Sequence, residues 1–464
     1  MLKIELTIKD IIEQADGKLI YGNVNMLCSN FSKDTRQINP GDVYLGIKGE
    51  KFNGSEFYEE ALNNGASICI LQEVDIKKEI IEKYKNCAII MVNDVVRCIQ
   101  KLAKYKRSLY NIPVVAITGS VGKTSTKDII ANVLAKKYKV LKTEGNYNNE
   151  IGLPLTVLKL KDHTAMVLEM GMNSFGEISL LTNIAKPTTC VITNIGTSHI
   201  GKLGSRENIL KAKLEILEGL QKHGTIVINN DNDLLHDWYE NNKKIYNIKT
   251  YGINENSNFM ATNIMLDQEK SNYILQSNKE SEIINVPIAG EHFIYNSLCA
   301  ICVGNIYNIP IKEISNAISN FKLTKKRMDI LEKANGVKII NDCYNASYES
   351  MKVALECLAK MDAPRKIAVL GDMFELGEYT KELHSKVGEE VVKNNVDILI
   401  TVGENSKEIG KEAIRQGFNK SNIFITEDAN NATKKLKELL KTNDIILIKA
   451  SNGMKLDSIA ENIQ

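Results

Sequence analysis

The stretch VVAITGSVGKTSTKD, residues 114–128, decides how the rest of the chain is interpreted. Its apolar run VVAIT predicts a strand, and TSTKDIIANVLAKKY has the pattern of a helix. The Gly-rich turn between them ends in Gly122, Lys123 and Thr124. A strand, such a turn and a helix are the context of a phosphate-binding loop, in which backbone N–H groups at the helix start face an anion. The stretch therefore predicts nucleotide binding.

One position departs from the usual GxxxxGK(S/T) pattern. Ile117 stands where that pattern has glycine, and the earlier glycine of this chain is Gly119. The alternative is a Gly-rich turn that binds nothing. In the nucleotide-binding interpretation, Lys123 neutralises phosphate charge and the Thr124 hydroxyl suits Mg²⁺. We expect the phosphates of ATP to lie on the loop residues Gly119, Ser120, Val121, Gly122, Lys123, Thr124 and Ser125.

Composition and charge bound the class of protein. With 464 residues the chain has room for about three domains of roughly 150 residues. Its 43% hydrophobic and 25% charged residues are ordinary for a globular protein. A net charge of +2 gives no support for a nucleic-acid or membrane surface. Because no apolar run approaches about 18 residues and the N-terminus lacks a signal-peptide core, we expect a cytoplasmic protein without a membrane span.

The nine cysteines are scattered and show no metal-ligand spacing. Cys299 and Cys302 form a CxxC pair inside NSLCAICVGNIY. A redox or metal role is one interpretation of that pair. We favour a buried helix face, since no second ligand pair lies nearby.

The order of apolar and helical segments predicts an α/β protein with three domains. Residues 1–108 suggest a small N-terminal α/β domain that ends in the helix VVRCIQKLAKYKRSLY before Pro113. Residues 109–322 alternate strands with helices, as in a central ATP-binding domain with a parallel sheet, with an antiparallel insert near 250–290. Residues 323–464 contain KIAVLGDM, VDILITVG, NIFITED and DIILIKASNGM, which predict a Rossmann-like C-terminal domain.

Three ionisable residues after the phosphate loop are candidates for metal binding or catalysis. Glu169 ends the apolar strand at 165–168, and His199 follows the strand at 190–195. Ligands gather at the carboxyl ends of parallel strands, so both side chains are candidates to hold Mg²⁺, although a lone histidine more often makes a structural hydrogen bond. Lys213 lies on the apolar face of a helix predicted over 206–220. The pattern alone favours snorkelling of its ammonium group to solvent over a buried, paired or modified amine.

At this point the residues resemble the Mur ligases of peptidoglycan synthesis along nearly the whole chain. The loop TGSVGKTS resembles that family's own phosphate loop, TGxxGK(T/S), which accounts for Ile117. The stretch SKDTRQINPGDVYLGIKGEKFNG resembles the part of the family that binds the UDP end of the muropeptide. The blocks that resemble the branch adding D-alanyl-D-alanine to UDP-N-acetylmuramoyl-tripeptide are EGNYNNEIGLPLT, GEHFIYNSLCA, KRMDI, NDCYNASYESM and LGDMFELGEYTKELH.

The resemblance implies an ATP-dependent amide-forming ligase that acts through an acyl phosphate. It implies two Mg²⁺ ions, held with the help of Thr124, Glu169 and His199, and a carbamylated Lys213. The catalytic set would be Lys123, Lys213, Glu169, His199 and Arg327. His292, Asn296, Arg327 and Asp342 would contact ATP beside the loop. The residues expected to bind the small-molecule substrates are Asp34, Thr35, Arg36, Asn146, Asn149, Tyr344 and Asn345. A monomer is expected.

Some positions depart from the family pattern and keep other interpretations open. Tyr348 replaces a proline, Asn53 an aspartate, Ser55 a histidine, and Asn452 lies where an arginine is usual. These departures bear on the identity of the amine. One alternative is a related Mur-type or folylpolyglutamate-type ligase with another amine donor. Another is a nucleotide-dependent ATPase switch that is not a ligase. His384 is expected to have a structural or dipeptide-binding role rather than that of a general base.

Overall fold

The computed structural model describes residues 5–268, 270–277, 281–322 and 328–463. Helices and strands alternate along this length, which confirms the predicted α/β class. The elements before the phosphate loop are β1 (Leu6–Thr7), α1 (Ile8–Ala15), β2 (Lys18–Tyr21), β3 (Leu27–Cys28), β4 (Phe31–Ser32), β5 (Val43–Leu45), α2 (Tyr58–Asn63), β6 (Ile68–Leu71), α3 (Lys78–Lys83), β7 (Ala88–Met91), α4 (Val95–Ser108) and β8 (Val114–Thr118).

The following elements reach the end of the predicted central domain. They are α5 (Lys123–Leu134), β9 (Val140–Lys142), α6 (Gly152–Leu158), β10 (Ala165–Glu169), α7 (Glu177–Ala185), β11 (Thr189–Ile192), α8 (Ile200–Leu203), α9 (Arg206–Leu214), β12 (Thr225–Asn229), α10 (Asp233–Asn242), β13 (Asn247–Gly252), β14 (Phe259–Leu266), β15 (Ser271–Ser277), β16 (Ser281–Val286), α11 (Glu291–Ile306) and α12 (Ile311–Ser319).

The remaining elements belong to the predicted C-terminal domain. They are β17 (Asp329–Glu332), β18 (Lys338–Asn341), α13 (Tyr348–Lys360), β19 (Lys366–Gly371), α14 (Thr380–Lys393), β20 (Ile398–Val402), α15 (Lys407–Arg415), β21 (Ile423–Thr426), α16 (Ala429–Leu439), β22 (Ile445–Lys449) and α17 (Asp457–Asn462).

The chain divides into two compact units. The first contains the residues up to Thr118 together with Lys137–Val191 and Leu214–Thr225. The second contains Gly119–Lys136, Ile192–Lys213 and the residues from Ile226 onward. This division passes through the predicted central domain, and the predicted domain boundaries at 108 and 322 remain predictions.

In the first unit, the N-terminal strands form a sheet in the order β2-β7-β6-β5-β4. Its pairs are parallel except for β2, which runs antiparallel to β7. The inner strands β5 and β6 are buried along their whole length, as expected of apolar runs covered on both faces. The same unit holds the parallel neighbours β9, β10 and β8, so that β8 and β10 end side by side.

The second unit contains the predicted antiparallel insert and a second sheet. Strands β14, β15 and β16 pair antiparallel, which confirms the insert near 250–290. The C-terminal sheet has the order β17-β18-β22-β19-β20-β21. The four predicted strands β19 to β22 are parallel neighbours, whereas β17 pairs antiparallel with β18 and was not predicted. We call the part of the chain from β17 to α17 the C-terminal module.

Two buried cations on α4 hold helix ends of the first unit. Arg107 is 3% exposed and donates to the carbonyls of Ala185 (2.7 Å), Tyr110 (2.5 Å) and Lys186 (3.2 Å). Lys106 donates to the carbonyl of Leu158 at 3.0 Å, where α6 ends. Cations suit helix C-termini because the last carbonyls lack partners and the dipole there is negative. These bonds fix α6 and α7 against α4.

We predict that Arg107→Ala lowers the free energy of unfolding by roughly 2–4 kcal/mol, because buried carbonyls lose their donor. Arg97→Ala on the same helix is the control, since that side chain is 82% exposed. It should change stability by less than about 0.5 kcal/mol. Urea unfolding followed by circular dichroism measures both variants. Equal effects of the two substitutions would contradict the role given to Arg107.

Candidate active site

The phosphate loop has the strand–turn–helix form that the sequence predicted. Ile117 is the fourth residue of β8, is fully buried, and pairs with Glu169 of β10. It is therefore a strand residue, and the turn begins at Gly119. Gly119 has φ +151°, and a Cβ there would lie 1.9 Å from the Thr193 hydroxyl. Gly122 has φ +81° at the start of α5, so both positions require glycine.

The segment after β11 holds this loop in shape. The side-chain oxygen of Asn194 accepts hydrogen bonds from the backbone N–H groups of Ser120 (3.2 Å) and Val121 (2.9 Å). The Thr193 hydroxyl donates to the carbonyl of Val121 at 2.7 Å, and Ser120 Oγ accepts from the N–H of Gly196 at 2.9 Å. The sequence prediction missed Asn194, which lies two residues after β11. The loop is thus preorganised by its neighbour rather than by its own residues alone.

Lys123 is the first residue of α5 and its ammonium group is directed back over the loop. It donates to the carbonyls of Gly119 (2.8 Å) and Ser120 (3.3 Å). Thr124 and Ser125 follow in the first turn of α5 and are buried. A helix start with a lysine and a hydroxyl at this point can bind the charged end of a nucleoside triphosphate.

Glu169 lies at the carboxyl end of β10 and is 1% exposed. Its Oε1 accepts a hydrogen bond from Asn148 Nδ2 at 2.9 Å. Asn148 belongs to the EGNYNNEIG block, but the sequence prediction selected Asn146 and Asn149 instead. In the structure, Asn149 Oδ1 accepts from the N–H of Gly152 (2.9 Å) at the start of α6, and Asn146 is exposed. Asn148 is therefore the residue of this block that orients the carboxylate.

His199 lies where the resemblance placed it, in the segment between β11 and α8. Its Nδ1 is buried and in close contact with Glu375 Oε2 of the C-terminal module, although no aligned hydrogen bond to this nitrogen is present in the described ranges. The neighbouring imidazole lowers the pKa of the Glu375 carboxyl below its ordinary value. The sequence prediction did not name Glu375.

The position of Lys213 differs from the solvent-exposed ammonium group that its helix pattern predicted. The side chain is 2% exposed, so the snorkelling interpretation is wrong. Burial, and next the charge of Lys123, hold the pKa of the Lys213 amine well below its ordinary value. The helix is also shorter than predicted, because α9 ends at Leu214 and a 3-10 turn over Glu215–Gly219 follows. The structure therefore places a buried amine of lowered pKa near Lys123.

Two predicted ATP contacts lie on α11. The Asn296 side-chain oxygen accepts from the Thr126 hydroxyl at 3.0 Å and lies near Gly122. His292 is half-buried, and loss of hydration lowers the pKa of its imidazole to about 4, against the smaller opposing effect of Asp342. His292 is therefore neutral at physiological pH. The structure brings Asn296 to the phosphate loop and His292 towards the C-terminal module.

Asp342 is held by a buried lysine that the sequence prediction missed. Lys449 is 2% exposed and donates to Asp342 Oδ2 (2.5 Å) and to the carbonyl of Asn345 (2.9 Å). The other oxygen of Asp342 accepts from the N–H of Met328 at 3.3 Å. Arg327, the residue before Met328, lies outside the described residues.

A second carboxylate of the C-terminal module contacts the segment after β11. Glu349 accepts from the backbone N–H of Thr197 (2.7 Å) and from its hydroxyl (3.1 Å). A Cβ at Gly196 would lie 2.6 Å from the Glu349 carboxyl carbon, so this approach requires glycine. The backbone N–H of Gly196 donates to Ser120 of the phosphate loop, so Glu349 lies one residue away from a direct contact with that loop.

The residues predicted to bind the UDP end lie together in the first unit. Asp34 caps a 3-10 turn and forms an exposed ion pair with Arg36, at 2.7 Å to Nη2, while the Thr35 hydroxyl donates to Glu60 at 2.8 Å. Hydrogen bonding from Arg36 lowers the pKa of Asp34. The departures nearby make structural bonds. Ser55 is fully buried between the carbonyl of Gly46 and the N–H of Gln72.

The remaining predicted residues lie in or near the turn before α13. Tyr344 is half-buried and Asn345 is exposed. Tyr348 is the first residue of α13, a position where proline is tolerated in a helix, and its hydroxyl donates to Glu390 at 3.2 Å. This departure is therefore accommodated without changing the turn.

His384 has no ring nitrogen free for proton transfer. Its Nε2 accepts from the N–H of Met373 at 3.0 Å, so Nδ1 carries the proton and donates to the carbonyl of Thr380 at 2.6 Å. The side chain is fully buried, and burial lowers its pKa. The geometry supports the structural role that the sequence favoured.

The side chains predicted to bind Mg²⁺ carry suitable ligand atoms. Carboxylate and hydroxyl oxygens are the ligands that Mg²⁺ prefers, and Glu169 and Thr124 supply them. The Nδ1 atom of His199 is in contact with Glu375, and an imidazole has a second nitrogen, Nε2, which is compatible with His199 as a ligand. Within the described ranges no three His, Cys, Asp or Glu side chains cluster as a metal site, and the nine cysteines are free and buried. In the same ranges no helix is both long enough and apolar enough to span a bilayer.

Comparison with protein families identifies three successive matches. Residues 29–107 match "Mur ligase family, catalytic domain", residues 117–304 match "Mur ligase middle domain", and residues 326–452 match "Mur ligase, glutamate ligase domain". The UDP-N-acetylmuramoyl-tripeptide–D-alanyl-D-alanine ligase of Bacillus subtilis is 35% identical over 463 residues, covering 99% of this chain and 98% of that protein. The Synechocystis protein of the same name is 34% identical and covers 94% of this chain and 92% of its own length.

Solved structures agree with these matches. Crystal structure I of MurF from Acinetobacter baumannii has a TM-score of 0.89 at 26% identity and covers 100% of this chain and 99% of its own. MurF ligase from Thermotoga maritima in complex with ADP has a TM-score of 0.79 at 28% identity, covering 94% and 96%. Folylpolyglutamate synthase from Mycobacterium tuberculosis, at 13% identity and a TM-score of 0.63, is alike in fold alone. The predicted three-domain α/β class is confirmed.

We predict that Gly119→Ala weakens ADP binding at least about tenfold, because the new Cβ would clash with Thr193 and displace the loop. Gly176→Ala is the control. Gly176 has φ +85°, yet a Cβ there meets nothing within 4 Å, so the substitution adds similar backbone strain without a clash. Titration with a fluorescent ADP measures both variants. If both lose affinity equally, strain rather than the Thr193 contact explains the effect.

Proposed function

The chain belongs to the Mur ligase family, and we propose that it joins D-alanyl-D-alanine to UDP-N-acetylmuramoyl-tripeptide at the expense of ATP, in peptidoglycan synthesis. The two ligases compared above are matched over almost their whole length, so the proposal concerns the complete reaction. The observation that carries it is the buried Lys213, whose amine has a lowered pKa, beside Lys123 of the phosphate loop. A simple ATPase switch has no need of such an amine.

The chemistry requires activation, because a carboxylate does not couple to an amine in water. The γ-phosphoryl group of ATP passes to the terminal carboxylate of the muropeptide, which forms an acyl phosphate and ADP. The amine of the dipeptide then attacks the carbonyl carbon, phosphate leaves, and the amine loses a proton. Negative charge gathers in the first step, and Lys123 is positioned to offset it, as is Arg327 by resemblance. Catalysis is therefore mainly positioning and electrostatic stabilisation.

We assign the metal ligands to Thr124, Glu169 and His199. Two Mg²⁺ ions are expected to bind with ATP and to neutralise phosphate charge. Asn148 orients the Glu169 carboxylate by donating to Oε1. Without the bond from Asn148, the Glu169 carboxylate could rotate away from the orientation proposed for metal binding.

Lys213 would act as a carbamate. A neutral lysine amine adds to CO₂, forming an N–C bond and releasing a proton, and the product is an anion. The lowered pKa of Lys213 favours the neutral form that reacts. A buried anion near Lys123 is also electrostatically better than a second buried cation.

The muropeptide would bind through Asp34, Thr35 and Arg36 at its UDP end and through Asn146 and Asn149 further on. Tyr344 and Asn345 would face the reacting end. ATP would be held by Gly119, Ser120, Val121, Gly122, Lys123, Thr124, Ser125, His292, Asn296, Arg327 and Asp342. Since an acyl phosphate hydrolyses in water, we infer that residues 323–464 close over ATP before the chemistry. We further propose a cytoplasmic monomer.

The experiment that tests the proposed function is release of phosphate from ATP. We predict release only when UDP-muropeptide and D-alanyl-D-alanine are both present, because the first step leaves the phosphoryl group on the muropeptide and free phosphate forms only when the amine attacks. A panel of other dipeptides and diamino acids tests the amine donor. Release without either substrate would contradict the ligase proposal and support a switch. Release with a different amine would point to a related ligase.

Substitution of the two lysines tests the site. Lys123→Ala and Lys213→Ala should each lower kcat by roughly 10²–10³-fold, because the first removes the cation that offsets phosphate charge and the second removes the proposed carbamate. Lys211→Ala is the matched control, since Lys211 is exposed on the same helix α9. It should leave kcat within about twofold. Near-normal turnover in Lys213→Ala would remove that residue from the proposed machinery.

The carbamate has its own signature and pH dependence. With ¹³C-bicarbonate, a carbamate signal is expected in the wild-type ¹³C spectrum and not in that of Lys213→Arg. The pKa of Lys213 is lowered, so the amine is neutral above that pKa and protonated below it. The signal and the activity should therefore fall together as the pH falls through it, and added bicarbonate should oppose the loss. An unchanged signal in Lys213→Arg would contradict the assignment.

A further inference from the structure

A loop of the C-terminal module packs directly against α8. The backbone N–H of Gly201 donates to the carbonyl of Glu375 at 3.1 Å, and the Tyr379 hydroxyl donates to the carbonyl of Gly204 at 2.7 Å. A Cβ at Gly201 would lie 2.4 Å from the backbone nitrogen of Gly377. The two backbones therefore approach as closely as glycine permits. This contact fixes the loop in front of His199.

Glu375 and His199 meet at this contact in unusual backbone conformations. Both residues have φ 65°, in the left-handed region that residues other than glycine seldom occupy. Such conformations persist only where the surroundings impose them, and they cluster at functional sites. Here they direct the Glu375 carboxylate onto Nδ1 of the imidazole, and this nitrogen is buried.

A simple ion pair between two parts of the protein is the alternative. An exposed pair would not need two strained residues, and it would contribute little to stability. Glu378 lies on the same loop and is exposed to solvent. The His199 side chain, in contrast, is only 18% exposed. The arrangement instead matches that of histidines which ligate metals, where a carboxylate holds one ring nitrogen and the other faces the ion.

We propose that Glu375 is the positioning residue of His199: its carboxylate holds Nδ1, so that Nε2 is presented to a divalent cation bound with ATP. The inference rests on the proposed function, in which His199 is a metal ligand. Glu375 belongs to the C-terminal module, whereas His199 belongs to the segment that follows β11. The cation site is therefore complete only when the loop at 375–379 is docked on α8. Closure and metal binding are coupled through this one contact.

The test is binding of Mn²⁺ to the full chain in the presence of a non-hydrolysable ATP analogue, with free Mn²⁺ measured by electron paramagnetic resonance. Wild-type protein should bind two ions. Glu375→Ala should weaken one of them about 10–100-fold and leave the other unchanged. His199→Ala should weaken the same ion. Glu375→Gln should lose less, because its amide oxygen can still accept a hydrogen bond from Nδ1.

Two controls separate positioning from docking and from charge. Glu378→Gln removes one charge from the same loop and should leave both affinities within about twofold. Tyr379→Phe removes a docking hydrogen bond and should have a smaller effect than Glu375→Ala. Unchanged Mn²⁺ binding in Glu375→Ala, or an equal loss in Tyr379→Phe, would overturn the inference while leaving the proposed function intact. Absence of nucleotide-dependent Mn²⁺ binding in the wild-type protein would contradict both.

Discussion

The burial of Lys213 beside Lys123 is the constraint on which the proposed chemistry depends. An ammonium group at Lys213 would lack hydration and would be repelled by the charge of Lys123. Both effects hold the pKa of the Lys213 amine well below its ordinary value. In the proposed function this amine becomes a carbamate, whose negative charge would complement Lys123.

The segment after β11 contacts both the phosphate loop and the C-terminal module. At one end, Asn194 accepts hydrogen bonds from two backbone N–H groups of the loop. Further along, Thr197 bonds to Glu349, and His199 contacts Glu375, both from the C-terminal module. Six residues, 194–199, therefore contain all of these contacts, which is the basis for the proposed coupling between docking of the module and the phosphate loop.

Local patterns predicted much of the fold and part of the site. The β8–loop–α5 unit, the parallel C-terminal strands and the antiparallel insert follow from apolar periodicity and glycine positions. The helix pattern alone predicted that the Lys213 ammonium group reaches solvent, and this was wrong. Segments far away in the sequence cover that face of the helix, and the pattern of the helix itself does not reveal them. Asn148, Glu375 and Lys449 were missed for a similar reason. Each acts on a partner more than 20 residues away, and no local signal marks such a pair.

The sequence by itself determined the phosphate loop, because a strand, glycines and a helix start are encoded within about a dozen neighbouring residues. It also determined the candidates Glu169 and His199, since the ends of parallel strands converge. Only the tertiary structure decided what surrounds them. Burial lowers the pKa of Lys213, Asn148 donates to Glu169, and Glu375 contacts His199. These are properties of enclosure and of distant contacts, which arise when the chain is folded and are absent from any single stretch of it.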